Sequence, residues 1–115
     1  MTESQLLKQV LEALNYMPGR YWRANSGAVK ASYTDKAGNT KNRFYRFQGM
    51  AGVSDIIGIH ESGKFVAIEL KVGKNKPTQK QQDFIDMINY HSGVGIIAYS
   101  WEDVEMAFLE RKLKI

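Results

Sequence analysis

The chain has 115 residues, and its 16 Lys and Arg against 12 Asp and Glu give a formal net charge of +4. A chain of this length buries one hydrophobic core, which predicts a single domain over residues 1–115 and excludes a multidomain protein. The absence of cysteine excludes disulfides, iron–sulfur clusters and thiolate zinc sites, so any metal should be bound by oxygen ligands. No apolar run reaches the roughly 20 residues of a membrane span and no basic signal peptide begins the chain, which favours a cytoplasmic protein without a membrane partner.

The first predicted element is a helix over residues 3–14, followed by a helix-ending Pro18-Gly19 pair. Its apolar residues recur at the spacing of one helical stripe, namely Leu6, Leu7, Val10, Leu11 and Leu14. Two segments rich in Val, Tyr, Phe and Thr follow at 28–34 and 43–48, and they flank turn-forming residues at 35–39. This pattern predicts a β-hairpin.

A second hairpin is predicted from apolar, β-branched strands at 56–59 and 65–72, joined by a turn at 61–64. Thr78 with Gln81 then forms a capping box that begins a helix over about 79–90. A short buried strand at 96–99 leads into a final helix that begins near Ser100 or Trp101. The order predicts an α/β fold, with a central mixed β-sheet flanked by α-helices.

Charge is unevenly distributed along the chain. Residues 20–47 contain seven basic residues and one acid, and residues 64–80 contain five lysines and one acid, whereas the remainder is acidic. Such segregation indicates a basic surface for a polyanion, most commonly nucleic acid. The alternative is that these are ordinary solvated lysines.

Two carboxylates and a lysine are predicted to gather at one end of the second hairpin. Side chains alternate along 65–72, so Glu69 and Lys71 share one strand face, while the residues between them face the core. If the strands pair antiparallel across the 61–64 turn, the numbers of two paired residues add up to about 125. This pairing places Asp55 opposite a residue close to 70. Asp55, Glu69 and Lys71 should therefore cluster.

This cluster suits metal-assisted phosphodiester hydrolysis. Neighbouring carboxylates in a partly dry site repel each other, and Mg²⁺, with Mn²⁺ as its substitute, relieves the repulsion by binding carboxylate and phosphate oxygens. The predicted metal ligands are Asp55, Glu69 and the backbone carbonyl of Leu70. Lys71 is the candidate to orient or deprotonate a water and to stabilise charge on the phosphate. The alternative is an exposed Glu-x-Lys pair with Asp55 capping a turn.

Three motifs resemble the PD-(D/E)XK nuclease superfamily, and in particular its virus-type replication-repair nuclease (VRR-NUC) branch. They are GVSD at 52–55, IELK at 68–71 and PTQKQ at 77–81. The resemblance covers nearly the whole chain and implies a restriction-endonuclease-like fold. Ser54 replaces the proline that this branch has before its aspartate, and this change leaves the metal ligands intact.

The resemblance also implies site residues and an activity. The positions that match the branch's functional residues are Glu3, Asp55, Glu69, Lys71 and Gln81. Glu12 lies on the same helix as Glu3 and is an alternative to it, and Gln81 has an alternative role in the capping box. Stand-alone members resemble phage homodimers that cut branched DNA such as four-way junctions, which would place this chain in the host cytosol if it is phage-encoded.

The remaining basic residues are candidates for DNA contacts. Those interleaved with aromatic residues would contact DNA phosphates and unstacked bases. Those that follow the predicted strand at 65–72 would contact the phosphate backbone of DNA. The predicted DNA-binding residues are Arg23, Asn25, Lys30, Arg43, Arg46, Lys74, Lys76 and Lys80. The alternative is that alternate aromatic side chains face the core, which we favour for Trp22 and Phe44. His60 and His91 are interpreted as structural residues.

The leading hypothesis is thus an Mg²⁺-dependent, structure-selective DNA endonuclease acting on junctions or flaps in replication, recombination or repair. Two other classes remain open. A non-catalytic DNA-binding module would bind branches without cutting them. A small protein-interaction domain would bind DNA weakly and with little dependence on salt.

Overall fold

The computed structural model describes residues 1–24, 28–46 and 51–115. Of the residues in these ranges, 28–32 and 42–46 are described by their backbone alone. In chain order the elements are α1 (Glu3–Leu14), β1 (Gly19–Arg23), β2 (Ala28–Thr34), β3 (Thr40–Arg46), β4 (Ile56–His60), β5 (Phe65–Leu70), α2 (Gln79–Tyr90), β6 (Val94–Ala98) and α3 (Trp101–Glu110).

The strands form a mixed four-stranded sheet and a separate two-stranded one. In the larger sheet the order is β1-β4-β5-β6, with β4 antiparallel to both neighbours and β5 parallel to β6. The smaller sheet is the β2–β3 hairpin, in which Asp35 accepts hydrogen bonds from the amides of Ala37 and Asn39 at the turn. The predicted mixed α/β architecture is confirmed.

The predicted helix starts agree with the structure because a capping residue close in the sequence sets each of them. Thr2 and Thr78 each form the full capping box, and the Ser100 hydroxyl accepts from the amide of Asp103. The predicted helices over 3–14 and 79–90 are confirmed to the residue. Strand ends are less accurate, since β3 begins at Thr40 and β5 ends two residues before the predicted 72.

Strand β1 is absent from the sequence-based order and is a correction to it. It pairs with β4 along its whole length, from Gly19 opposite His60 to Arg23 opposite Ile56. As an edge strand it buries little side-chain surface, so it lacks the apolar alternation by which strands are recognised. Tyr21 alone packs inward, edge-on to Phe108 with ring centroids 6.4 Å apart.

The sheet is covered on both faces. One face packs against α1 and α3 through the main core, which includes Leu6, Val10, Ile56, Val66, Ile68, Leu70, Val104 and Phe108. The other face packs Ile57 and Ala67 against Phe84, Ile85 and Ile88 of α2. The predicted core face of β5 is buried at Val66, Ile68 and Leu70, and the opposite face is buried as well, at Ala67 and Glu69.

The helices in the described ranges are too short or too polar to cross a membrane.

Candidate active site

The register of β4 and β5 brings the two predicted carboxylates together. Ile56 pairs with Ile68, one residue from the expected register, so Asp55 lies at the entry of β4 beside the end of β5. Asp55 Oδ2 accepts a hydrogen bond of 2.8 Å from the backbone amide of Leu70. This bond holds the Asp55 carboxylate across the strand pair, next to Glu69.

The loop before Asp55 is seated against the start of α2. Gly52 has a φ of +78°, and a Cβ at this position would lie 2.2 Å from the carbonyl oxygen of Lys80. Only glycine permits both the left-handed backbone and this close approach. Ser54, which precedes Asp55, is buried, and its hydroxyl has no hydrogen-bond partner among the described residues.

Glu69 is the most unusual side chain of the cluster. It is 3% exposed, and its Oε2 atom is buried without a hydrogen-bond partner in the described part of the chain. Burial, and then the negative charge of Asp55, raise the pKa of Glu69 from 4.5 to about 7, with the Lys71 ammonium and the Asp55 backbone opposing this in part. A buried carboxylate oxygen without a partner is costly to ionise, so the group either keeps its proton or gains a nearby cation.

Lys71 lies between two carboxylates. Its Nζ is 3.7 Å from Glu69 Oε1 and 4.0 Å from Glu3 Oε1, and its side chain is 12% exposed. Its backbone amide donates to the carbonyl of Ala98, which holds the end of β5 against β6. Glu3 comes from the first turn of α1 and is half exposed, so three segments distant in sequence supply the charged cluster.

A small cavity opens beside these groups. Its volume is about 170 Å³, which is room for several waters or a hydrated ion. The lining residues are Glu3, Ser4, Leu7, Arg23, Asp55 and Leu70. Ser4 and Leu7 were not among the predicted site residues, although their place on the helix of Glu3 could have indicated them.

The donor set fits one hard divalent cation. In the described ranges no three His, Asp or Glu side chains gather into a metal-binding group. The predicted ligands are two carboxylates, Asp55 and Glu69, with the Leu70 carbonyl. Mg²⁺ commonly binds through one or two carboxylates and keeps several waters, and Mn²⁺ takes the same ligands. The buried, unpartnered Oε2 of Glu69 is the atom that such an ion would satisfy.

Gln81 forms the capping box that was its alternative role. Its side-chain oxygen accepts from the amide of Thr78 at 2.8 Å, while its own amide donates to the Thr78 hydroxyl. A role for Gln81 toward a substrate would therefore fall to its Nε2 group. Glu12, the alternative to Glu3, lines a different groove on the other side of Leu7.

The predicted DNA-binding residues are described in part. Lys74 and Lys76 are exposed in the loop between β5 and α2, Lys80 is exposed in the first turn of α2, and Arg23 is exposed at the cavity. The hydroxyl of Tyr99 donates to the carbonyl of Asn75 at 2.7 Å and so anchors the lysine-bearing loop. The remaining four predictions lie outside what the structure describes, Asn25 entirely and the other three, Lys30, Arg43 and Arg46, in their side chains.

Trp22 corrects the prediction that it faces the core. Its side chain is 47% exposed on the edge strand, and the inward aromatic is its neighbour Tyr21. Phe44, for which the same prediction was made, has a side chain outside the described residues. His60 is structural as predicted, since both ring nitrogens have partners.

A scan against protein-family models and a search of curated proteins return no match for this chain.

Proposed function

We propose that this protein is an Mg²⁺-dependent, structure-selective DNA endonuclease that hydrolyses phosphodiester bonds in branched DNA. The observation that carries the proposal is the nearly fully buried Glu69 carboxylate, with one unpartnered oxygen, beside Asp55 and Lys71. The resemblance of the three motifs to the VRR-NUC branch supports it, and the proposed fold is restriction-endonuclease-like.

The chain's own groups divide the work of hydrolysis. Asp55 is oriented by the Leu70 amide, and the free oxygen of Glu69 would be the second carboxylate ligand of a bound cation. A bound Mg²⁺ would polarise the phosphate and lower the pKa of a coordinated water. Lys71, held between Glu3 and Glu69, donates hydrogen bonds to the attacking water or to the phosphate and stabilises its developing negative charge.

The proposed partners are branched DNA and a second copy of the chain. The basic segments around residues 20–47 and 64–80 favour a polyanion. One site cuts one strand, so a two-fold dimer would match the symmetry of a four-way junction. The proposed setting is the cytoplasm, where such DNA intermediates occur.

The test is cleavage of labelled four-way junction, flap and linear duplex DNA in Mg²⁺ by wild type, Asp55→Asn and Lys71→Ala. Matched controls are Glu61→Gln and Lys114→Ala, which change exposed charges near the opposite end of β4. We expect cleavage by wild type and both controls, and at least about a hundredfold loss in both site variants.

Two outcomes would reject the proposal. If wild type cuts none of the substrates in Mg²⁺ or Mn²⁺, the chain is not this nuclease. If all five proteins bind the junction equally without cutting it, the second hypothesis, a non-catalytic DNA-binding module, replaces the first.

A further inference from the structure

A groove larger than the active-site cavity runs between α1 and the edge strand β1. Its volume is about 460 Å³, within the range of roughly 300 to 1,000 Å³ that small-molecule sites occupy. Its lining mixes apolar, basic and amide side chains and includes Leu7, Lys8, Leu11, Asn15, Trp22 and Arg23. The groove is therefore large enough for a base and its sugar.

The groove and the active-site cavity are neighbours that share part of their walls. Ser4, Leu7 and Arg23 line both of them, and Glu3 and Asp55 also line the cavity. Whatever occupies the groove thus lies next to the place where the phosphate would be cleaved. Arg23 stands at the shared wall, exposed, where its guanidinium can bind a phosphate joining the two spaces.

Trp22 gives the groove an aromatic surface. It is 47% exposed on an edge strand, although burying a ring of this size would be favourable. An exposed aromatic beside basic side chains is how proteins hold unpaired nucleotides, because the base stacks on the ring while the cations bind its phosphates. Lys8 and Arg23 supply these cations, and Asn15 and Glu12 can hydrogen-bond the edge of a base.

We infer that this groove binds an unpaired nucleotide of DNA beside the cleaved bond, with its base stacked on Trp22. The inference rests on the proposed nuclease function and specifies its substrate class. Substrates with an unpaired segment at the cut site, such as flaps and splayed arms, would be preferred over fully paired duplex. A peptide would also fit an apolar groove, but the shared Arg23 and the adjoining phosphate-cleaving site favour a nucleotide.

The test is DNA binding rather than cleavage, so that it is decided independently of the nuclease activity. The probes are a splayed-arm duplex, a fully paired duplex of equal length and a ten-nucleotide oligothymidylate, measured by fluorescence anisotropy with Ca²⁺ in place of Mg²⁺. The variants are Trp22→Leu, which keeps an apolar side chain but removes the ring, and Trp22→Phe, which keeps a smaller ring. Tyr90→Ala, which removes a remote aromatic that is 84% exposed, is the control.

We expect Trp22→Leu to weaken binding of the splayed-arm and single-stranded probes by about five- to a hundredfold and to leave the paired duplex within twofold. Trp22→Phe should recover most of this loss, and Tyr90→Ala should bind as wild type does. Equal affinities of wild type and Trp22→Leu for all three probes would overturn the inference. So would a uniform loss on every probe, or a loss that Trp22→Phe does not recover.

The two proposals fail separately. If wild type cuts branched DNA but Trp22→Leu discriminates among the probes as wild type does, the nuclease stands and the groove is not a nucleotide site. If the probes behave as expected but nothing is cut, the nucleotide site stands and the catalytic proposal fails.

Discussion

Two buried polar side chains at opposite ends of the β4–β5 pair differ in how they are satisfied. His60 is 2% exposed, and Glu69 is 3% exposed. His60 Nδ1 accepts from the amide of Ser62 at 3.0 Å, and its Nε2 donates to the carbonyl of Lys114 at 2.8 Å. Glu69 has one buried oxygen with no partner in the described chain and a pKa raised to about 7.

The difference is why we assign His60 a structural role and propose a functional one for Glu69. His60 joins the β4–β5 turn to the C-terminal segment, and its hydrogen bonds repay the cost of its burial. Glu69 is stabilised by neither a full set of hydrogen bonds nor an ion pair on both oxygens. Carboxylates with a raised pKa are common at functional sites, and this one is the basis of the proposed cation site. Four experiments test this contrast.

The largest expected effect is on catalysis by Glu69→Gln. The amide retains the shape of the side chain but lacks the negative charge that would bind a cation. We expect cleavage to fall by at least about a hundredfold, while unfolding of the metal-free protein at pH 8 requires more denaturant than in wild type. Loss of both activity and stability would instead indicate a structural role like that of His60.

The stability of the metal-free protein should also depend on pH through the ionisation of Glu69. Because the native state binds this proton more tightly than the unfolded state, stability falls as pH rises from about 4.5 through about 7, by at most about 3 kcal/mol. Urea unfolding in EDTA from pH 4.5 to 8 measures this slope. The same series on Glu69→Gln isolates the contribution of Glu69, and identical slopes in the two proteins would contradict the prediction.

His60→Ala should have the opposite effects to Glu69→Gln, with lower stability and unchanged cleavage. It removes two hydrogen-bond partners and a ring that lies 5.8 Å from that of Phe108, so the free energy of unfolding should fall by about 2 kcal/mol. Cleavage per folded molecule should remain within twofold of wild type below the melting temperature. Denaturant unfolding measures the stability, and DNA cleavage by the same preparation measures the activity. A hundredfold loss of cleavage would contradict the proposed contrast between His60 and Glu69.

The smallest effect is stabilisation by metal. At a Mg²⁺ concentration about ten times its dissociation constant, binding should stabilise the native state by about 1.4 kcal/mol. A thermal melt at pH 8 should therefore shift upward by several degrees in wild type. His60→Ala should show the same shift, whereas Glu69→Gln should show less than half of it. Equal shifts in all three proteins would place the metal elsewhere.

Much of the site could be predicted because its determinants are short-range or follow from strand geometry. The two-residue period of β5 puts Glu69 and Lys71 on one face, and the short turn between β4 and β5 limits the register, so the approach of Asp55 was correct within a residue. Thr2 and Thr78 cap their helices through residues three positions away. These interactions are made between residues that are close in the sequence.

The rest depended on packing between distant segments. Edge strand β1 carries no apolar period because it buries little side-chain surface, and its backbone pairing with β4 leaves no mark in the sequence. The outward position of Trp22 follows from that edge location, and with it the groove beside α1. No sequence pattern indicated either feature.

The sequence by itself thus determined the three helices with their caps, the strands other than β1, and the set of charged residues that share a strand end. The tertiary structure alone decided how completely the Glu69 carboxylate is shielded from water. Its burial requires the strand pairing together with the packing of α2 on the second face of the sheet, and desolvation depends on all the surrounding atoms rather than on any neighbour in the chain. For that reason the pKa of Glu69, and the metal affinity expected from it, are properties of the fold.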